Sequence, residues 1–424
     1  MFLQLYSKKL YLYLKKYSFS ENSCNSLFIV ILLCIIGYVS NLYEKINTKF
    51  ETNALSFANN NPSIFYIITP ILFWIASHAF MFKNANGPLM LHIKTLFENL
   101  KNPILFRSLV PFTSLIMLVL GNLITVYAGG ALGSEAVLVN ISMILLLYGS
   151  DFFRNYCNIL DIEGLLYIGY VSGFTLAFKS PISSLVLAIE KSIMNHSDNI
   201  ITNIIYSCIG ITIACLFIDD KKIFPDVVPK EFNYNISIIL QYGLFSLIAG
   251  AFTCLLFNLM YKAYFMIKNL HTNNYILFNI IPIISGLCVA LIINKSDSVA
   301  VGQGKESINE MLSGNYVYTI KNTISHILNI ILSFISGCSG GLIIPSISIG
   351  SCFAFTYNKI TSLPLVQTLI IGMTSVFSAF FGYPIASAFI IKNILNQKMD
   401  ILPILILCAY ISYFSYKYIN KLIW

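Results

Sequence analysis

Charge is what this sequence has least of. Of its 424 residues only 10% are Asp, Glu, Lys or Arg, while 57% are hydrophobic. A water-soluble domain carries roughly a quarter charged residues, so this chain cannot coat a globule of its own size with polar groups. Beyond residue 25 no long charged or mixed segment follows, and no appended soluble domain is expected. Paired cysteines are missing too. The ten cysteines are scattered, six of them (Cys34, Cys208, Cys215, Cys254, Cys288, Cys408) inside expected spans, and none forms a CxxC pair. Neither a disulfide framework nor a metal site is therefore expected. The five histidines are dispersed without ligand spacing. No cofactor is expected. Nor is a cleavable signal peptide, because the first apolar run lies too far from the start and lacks a small-residue cleavage site.

What the chain has instead is apolar runs free of Asp, Glu, Lys and Arg: Ser26–Tyr43, Ser108–Ser134, Phe232–Tyr261, Ile327–Asn358 and Ile360–Ile391 among them. About 20 such residues cross the hydrocarbon core as a helix, and several of these runs are longer. The spacing predicts a multi-pass membrane protein. The net charge of +8 is spread over loops and does not form a nucleic-acid-binding patch. Its densest group, Lys8, Lys9, Lys15 and Lys16, is interleaved with Tyr and Leu, so Leu3–Tyr17 reads as an amphipathic helix on the bilayer surface. The positive-inside rule puts that helix on the cytoplasmic side.

Glycine and proline interrupt the runs in a pattern that recurs. Ala177-Phe-Lys-Ser-Pro-Ile-Ser-Ser184 resembles Phe380-Phe-Gly-Tyr-Pro-Ile-Ala-Ser387, an offset of 203. Upstream, Gly133-Ser-Glu-Ala-Val-Leu-Val-Asn-Ile-Ser142 has its counterpart in Gly341-Leu-Ile-Ile-Pro-Ser-Ile-Ser-Ile-Gly350, an offset of 208. Two elements in one order at nearly one offset predict a duplicated unit. Paired, glycine-interrupted segments mark transporters whose broken helices meet near the midplane. A helix that starts inside the bilayer leaves its first N–H groups unpaired and its positive dipole end exposed. Two such ends facing each other make an anion site without metal or arginine. Glu135 is the one carboxylate between Ser108 and Ser150. An ionisable residue at that depth is a functional candidate by default; the alternative is a simple helix cap.

These residues resemble the motifs of the CLC family of chloride channels and chloride–proton antiporters, which run GSGIP, GREGP, GxFxP and a tyrosine near the C-terminus. GREGP resembles Gly133-Ser134-Glu135-Ala136-Val137. GxFxP resembles Gly341-Leu342-Ile343-Ile344-Pro345, and GSGIP is best placed at Gly87-Pro88-Leu89-Met90-Leu91. The likeness extends from about residue 85 to 416. It implies an all-α polytopic membrane fold of two inverted-topology repeats whose broken helices meet at a mid-membrane anion site. The expected division is an N-terminal segment 1–25, a first membrane repeat 26–218, a linker loop 219–231 and a second repeat 232–424. It further implies that Glu135 gates the pore, and that Gly133, Ser134, Ala136, Gly87, Pro88, Leu89, Gly341, Leu342 and Ile343 surround the anion. A homodimer with one pore per subunit follows from the same likeness, as does a bacterial inner membrane.

Three departures from the family pattern bear on mechanism. Pro88 stands where the motif has a coordinating serine. The pore tyrosine has no secure match, since Tyr410, Tyr413, Tyr416 and Tyr418 all lie in or after the last expected span. Lys191 occupies the place of the inner proton-relay glutamate of the antiporters. Its neighbour Glu190 either pairs with a lysine at a helix end or, turned to the pore, takes over the relay. The expected function is glutamate-gated transport of chloride or a similar small anion, passive or weakly proton-coupled. The alternatives are chloride (or fluoride)/proton antiport and a non-conducting structural or sensing member. An enzyme is not expected: Gly337-Cys338-Ser339-Gly340 mimics the serine motif of intramembrane proteases, but the histidine base must come later in the chain, and the last histidine is His326.

Overall fold

The computed structural model describes residues 21–79, 112–153, 162–195, 200–219, 223–224, 235–296, 299–313, 319–361 and 363–423. The segment Leu3–Tyr17 and the motif Gly87–Leu91, with Pro88 and Leu89, lie outside the described residues. Among the described residues the regular structure is helical. The first half contributes α1 (Glu21–Asn60), α2 (Pro62–Ala79), α3 (Phe112–Tyr127), α4 (Glu135–Phe153), α5 (Ile162–Phe178), α6 (Pro181–Met194) and α7 (Ile200–Cys215). The second contributes α8 (Ile236–Asn273), α9 (Tyr275–Lys295), α10 (Lys305–Ser313), α11 (Ile320–Ile335), α12 (Ile343–Asn358), α13 (Leu365–Phe381), α14 (Pro384–Ile394), a single 3-10 turn Met399–Ile401 and α15 (Leu402–Ile423).

The halves correspond element by element, α1 to α8, α2 to α9, and α3–α7 to α11–α15. The starts of α3 and α11, and of α4 and α12, lie 208 residues apart; those of α5 and α13, and of α6 and α14, lie 203 apart. The same punctuation residues explain both halves. Gly129 (φ +77°) and Gly337 (φ +80°) take the left-handed conformation just past α3 and α11, where a helix most readily ends on glycine. Pro181 and Pro384 open α6 and α14, at positions that have no N–H partner to lose. The apolar run Ile360–Ile391, long enough for one span, is broken at Gly382 (φ +84°) into α13 and α14.

Packing repeats as well. α4 lies against α5 as α12 lies against α13, and α7 covers α5 as α15 covers α13. The hydroxyls of Ser142, Thr175, Ser246, Thr253 and Thr374 each donate to the carbonyl four residues back, so polar side chains enter the bundle already satisfied. Among the described residues, four helices, over Leu27–Asn60, Ile236–Leu270, Tyr275–Lys295 and Met399–Ile423, are long and apolar enough to cross a bilayer. Large apolar side chains such as Leu240, Leu259 and Ile276 point outward. Lipid tolerates such a surface and water does not, so this is a multi-pass membrane protein.

Candidate functional site

The site begins at the two interrupted loops. After Gly129 the chain runs four residues to Gly133, and α4 starts at Glu135; after Gly337 it runs four residues to Gly341, and α12 starts at Ile343. The two glycines pair antiparallel. Gly133 N donates to Gly341 O at 2.8 Å and Gly341 N to Gly133 O at 2.7 Å. This brings the first turns of α4 and α12 into contact. A Cβ at Gly341 would lie 2.5 Å from the Ala136 Cβ, and one at Gly133 would lie 2.6 Å from Glu135 Oε2 and 3.2 Å from Pro345 Cδ. Only glycine permits that approach. Two crossed braces hold the loops. Asn122 of α3 donates to Ser339 O at 3.1 Å, and Asn329 of α11 donates to Gly129 O at 2.9 Å. Asn329 also donates to Ala300 O at 2.7 Å, and Tyr43 of α1 fixes Asn122 by donating to its Oδ1 at 2.5 Å.

The two helix starts carry free donors. The N–H groups of Glu135, Ala136 and Val137, and of Ile343 and Ile344, find no acceptor among the described residues. Pro345 has no N–H, and the next donor, Ser346 N, is already bonded to Leu342 O. Ser134, Glu135, Ala136, Leu342 and Ile343 are all buried. Unpaired N–H groups at two touching positive helix ends form an electropositive spot that a small anion, or a carboxylate, can occupy.

Glu135 is the carboxylate beside that spot. It is 2% exposed. Its Oε1 accepts from Ser134 Oγ at 3.4 Å and lies 3.1 Å from the Lys305 ammonium. Its Oε2 is buried and accepts no hydrogen bond. Gln303 closes the same corner: its Oε1 accepts from Ser134 N at 3.3 Å, and its own N–H donates to Glu51 Oε1 at 3.4 Å. Sequence reasoning missed Lys305, Gln303 and Glu51. A signal was present in Gly302-Gln303-Gly304-Lys305, where two left-handed glycines (φ +71° and +96°) enclose polar residues in an apolar chain.

The structure thus brings Gly133, Ser134, Glu135 and Ala136 together with Gly341, Leu342 and Ile343. Glu190 and Lys191 belong to a different cluster. The Glu190 carboxylate accepts from Ile385 N at 3.0 Å and Ala386 N at 2.7 Å, at the start of α14. No lysine among the described residues forms an ion pair with it. The helix end that Glu190 serves is therefore an N-terminus in the other half, which supplies the positive pole expected from a lysine. Lys191 is buried, with its ammonium 3.7 Å from the centroid of the Tyr170 ring. Tyr410, Tyr413, Tyr416 and Tyr418 all lie on α15, with Tyr413 buried and Tyr418 exposed.

Known proteins resemble this chain in sequence and in fold. A family model described as voltage gated chloride channel matches residues 71–416. An uncharacterized protein of Methanocaldococcus jannaschii is 27% identical over 273 residues, 63% of this chain and 66% of that protein. The H(+)/Cl(-) exchange transporter ClcA of Vibrio cholerae is 25% identical over 297 residues, 65% of this chain and 62% of the transporter. The chain therefore spans less than two thirds of the length of either relative. Among solved structures, a CLC-type fluoride/proton antiporter superposes with a TM-score of 0.75 at 19% identity, covering 94% of this chain and 97% of that one. A slow cyanobacterial Cl-/H+ antiporter gives 0.73 at 13% identity, covering 93% and 95%. These likenesses establish the fold as the CLC arrangement of two inverted-topology repeats with broken helices. With the family match extending over most of its length, the chain belongs to the voltage gated chloride channel (CLC) family.

Proposed function

We propose that this chain moves small anions, chloride first among them, across a cell membrane through a pore gated by the Glu135 carboxylate. The observation that carries the reading is the contact between the starts of α4 and α12, where five unpaired N–H groups sit beside one buried carboxylate. An anion and the ionised glutamate compete for the same positive spot; protonation removes the competitor. Gly133, Ser134, Ala136, Gly341, Leu342 and Ile343 line that spot, and Gly87, Pro88 and Leu89 complete it by resemblance. Transport is passive or weakly proton-coupled, in a homodimer with one pore per subunit; the family likeness supports that assembly and a bacterial inner membrane as its location. The relatives named as chloride/proton exchangers, and the fluoride/proton antiporter of like fold, set the competing reading of coupled exchange and the anions to compare.

The test is reconstitution into vesicles loaded in turn with chloride, fluoride and nitrate, with efflux followed under a series of imposed pH gradients. Efflux of one or more of these anions, faster at acid pH, is the expected result. Folded protein that passes none of the three would reduce the chain to a structural or sensing member of the family.

A further inference from the structure

Lys305 opens α10, in the second half of the chain, yet its ammonium meets the one carboxylate at the start of α4 in the first. The ion pair spans 3.1 Å, with 3% of the Glu135 side chain and 26% of the Lys305 side chain exposed. It holds one carboxylate oxygen and leaves the other without a hydrogen bond. The surroundings keep the lysine in place. Gln303, two residues earlier, bonds both to Ser134 N at the start of α4 and to Glu51 on α1. Among the described residues, Glu51, Tyr43 and Glu306 are coupled to the pair, Glu44 acts on Lys305 from α1, and His326 of α11 lies beside Gly304. α3 and α12 contain no charged residue, and the one charged residue of α5, Glu163, accepts instead from Asn203. Lys305 is thus the cation that Glu135 meets at this site.

We propose that Lys305 is the latch of the gate: its ammonium, 3.1 Å from Oε1, holds the Glu135 carboxylate beside the free N–H groups of the two helix starts. The proposal rests on the gating role given to Glu135 above. Lys305 is a positioning residue and acts on the anion only through that carboxylate. Take the ammonium away and no cation among the described residues anchors the carboxylate, so the gate releases more readily and anion flow begins at higher pH.

The experiment measures chloride and fluoride efflux from proteoliposomes as a function of pH for the wild type, Lys305→Met, Lys305→Arg, Glu135→Gln and the double variant Glu135→Gln/Lys305→Met. Lys305→Met should move the pH of half-maximal efflux upward by about one unit or more, the scale for losing an opposite charge within a few ångströms. Lys305→Arg should restore the wild-type profile. In the Glu135→Gln background the second substitution should leave the profile flat. If Lys305→Met does not fold, Lys305→Gln, neutral but polar, carries the same expectation. A wild-type pH profile in the neutral variants, beside a flat profile in Glu135→Gln, overturns the latch and leaves the gate standing. A pH-dependent profile in Glu135→Gln itself overturns the gate, and the latch with it.

Discussion

Glu190 and Asn393 stand 203 residues apart at equivalent places near the ends of α6 and α14, and each reaches the start of the other's helix. Glu190 accepts from Ile385 N and Ala386 N; Asn393 donates to Ser180 Oγ and Ser183 Oγ, both at 2.8 Å. The pair closes the contact between the halves on both sides of their pseudo-two-fold axis. An anionic cap suits the positive end of a helix, and the neutral amide serves two hydroxyls that already bond each other.

The two caps should therefore differ in strength. Glu190→Ala leaves the Ile385 and Ala386 N–H groups without this acceptor and removes charge-assisted bonds, a loss of roughly 3 kcal/mol. Asn393→Ala removes neutral bonds and should cost about 1–2 kcal/mol. Thermal unfolding in detergent reads both. Equal unfolding temperatures for Glu190→Ala and the wild type would mean that the bonds to Ile385 and Ala386 contribute nothing.

Glu135→Gln keeps the shape of the proposed gate and removes its charge. Anion efflux should lose most of its dependence on pH and should not fall below the wild-type maximum. Abolished efflux from a folded variant would assign Glu135 a role other than blocking.

Gly341→Ala puts a methyl group 2.5 Å from the Ala136 Cβ. Overpacking of this kind costs about 1–3 kcal/mol in a core, and here it pushes apart the helix starts proposed to hold the anion. Efflux should drop, and the compensating change Ala136→Gly, made in the same molecule, should recover it. Failure of the double variant to recover would place the damage in backbone conformation and not in this contact.

Proton coupling is the most exposed expectation. By the family likeness Lys191 is expected where antiporters keep a relay carboxylate, and Glu190 is engaged by α14. An isolated charge crossing a desolvated path costs several kcal/mol without a relay group. Vesicles loaded with chloride and given no pH gradient should therefore take up no protons against their gradient. Stoichiometric uphill uptake would mean that Glu190 leaves its helix during turnover, or that a water chain replaces it.

The paired glycines were legible in the sequence because backbone geometry dictates them. A helix start buried against another helix start tolerates no Cβ, so Gly133 and Gly341 mark themselves by type and by their offset of 208. The fall of the offset to 203 was legible as well; it corresponds to a shorter stretch between the starts of α12 and α13 than between those of α4 and α5. For Lys305 the sequence offered only the Gly302-Gln303-Gly304 run before it; the carboxylate it meets lies 170 positions earlier, and only tertiary packing brings the two together. The same holds for Glu190. Its neighbour Lys191 suggested a pairing along the sequence, while the partner it found is a helix end that only tertiary packing brings near.

The two backbone bonds between Gly133 and Gly341 lie where the proposed path runs. Many carriers alternate by rocking one half as a rigid body against the other about a fixed site. In this molecule such a swing would have its seam at the glycine pair. It would break both backbone bonds, both asparagine braces and the grip of Glu190 on α14 together. Each is buried, so no water stands ready to replace what is lost. Large-scale alternation would have to give up all of these contacts at once. On the proposed gating, the swing of the Glu135 side chain is the travel that leaves them intact.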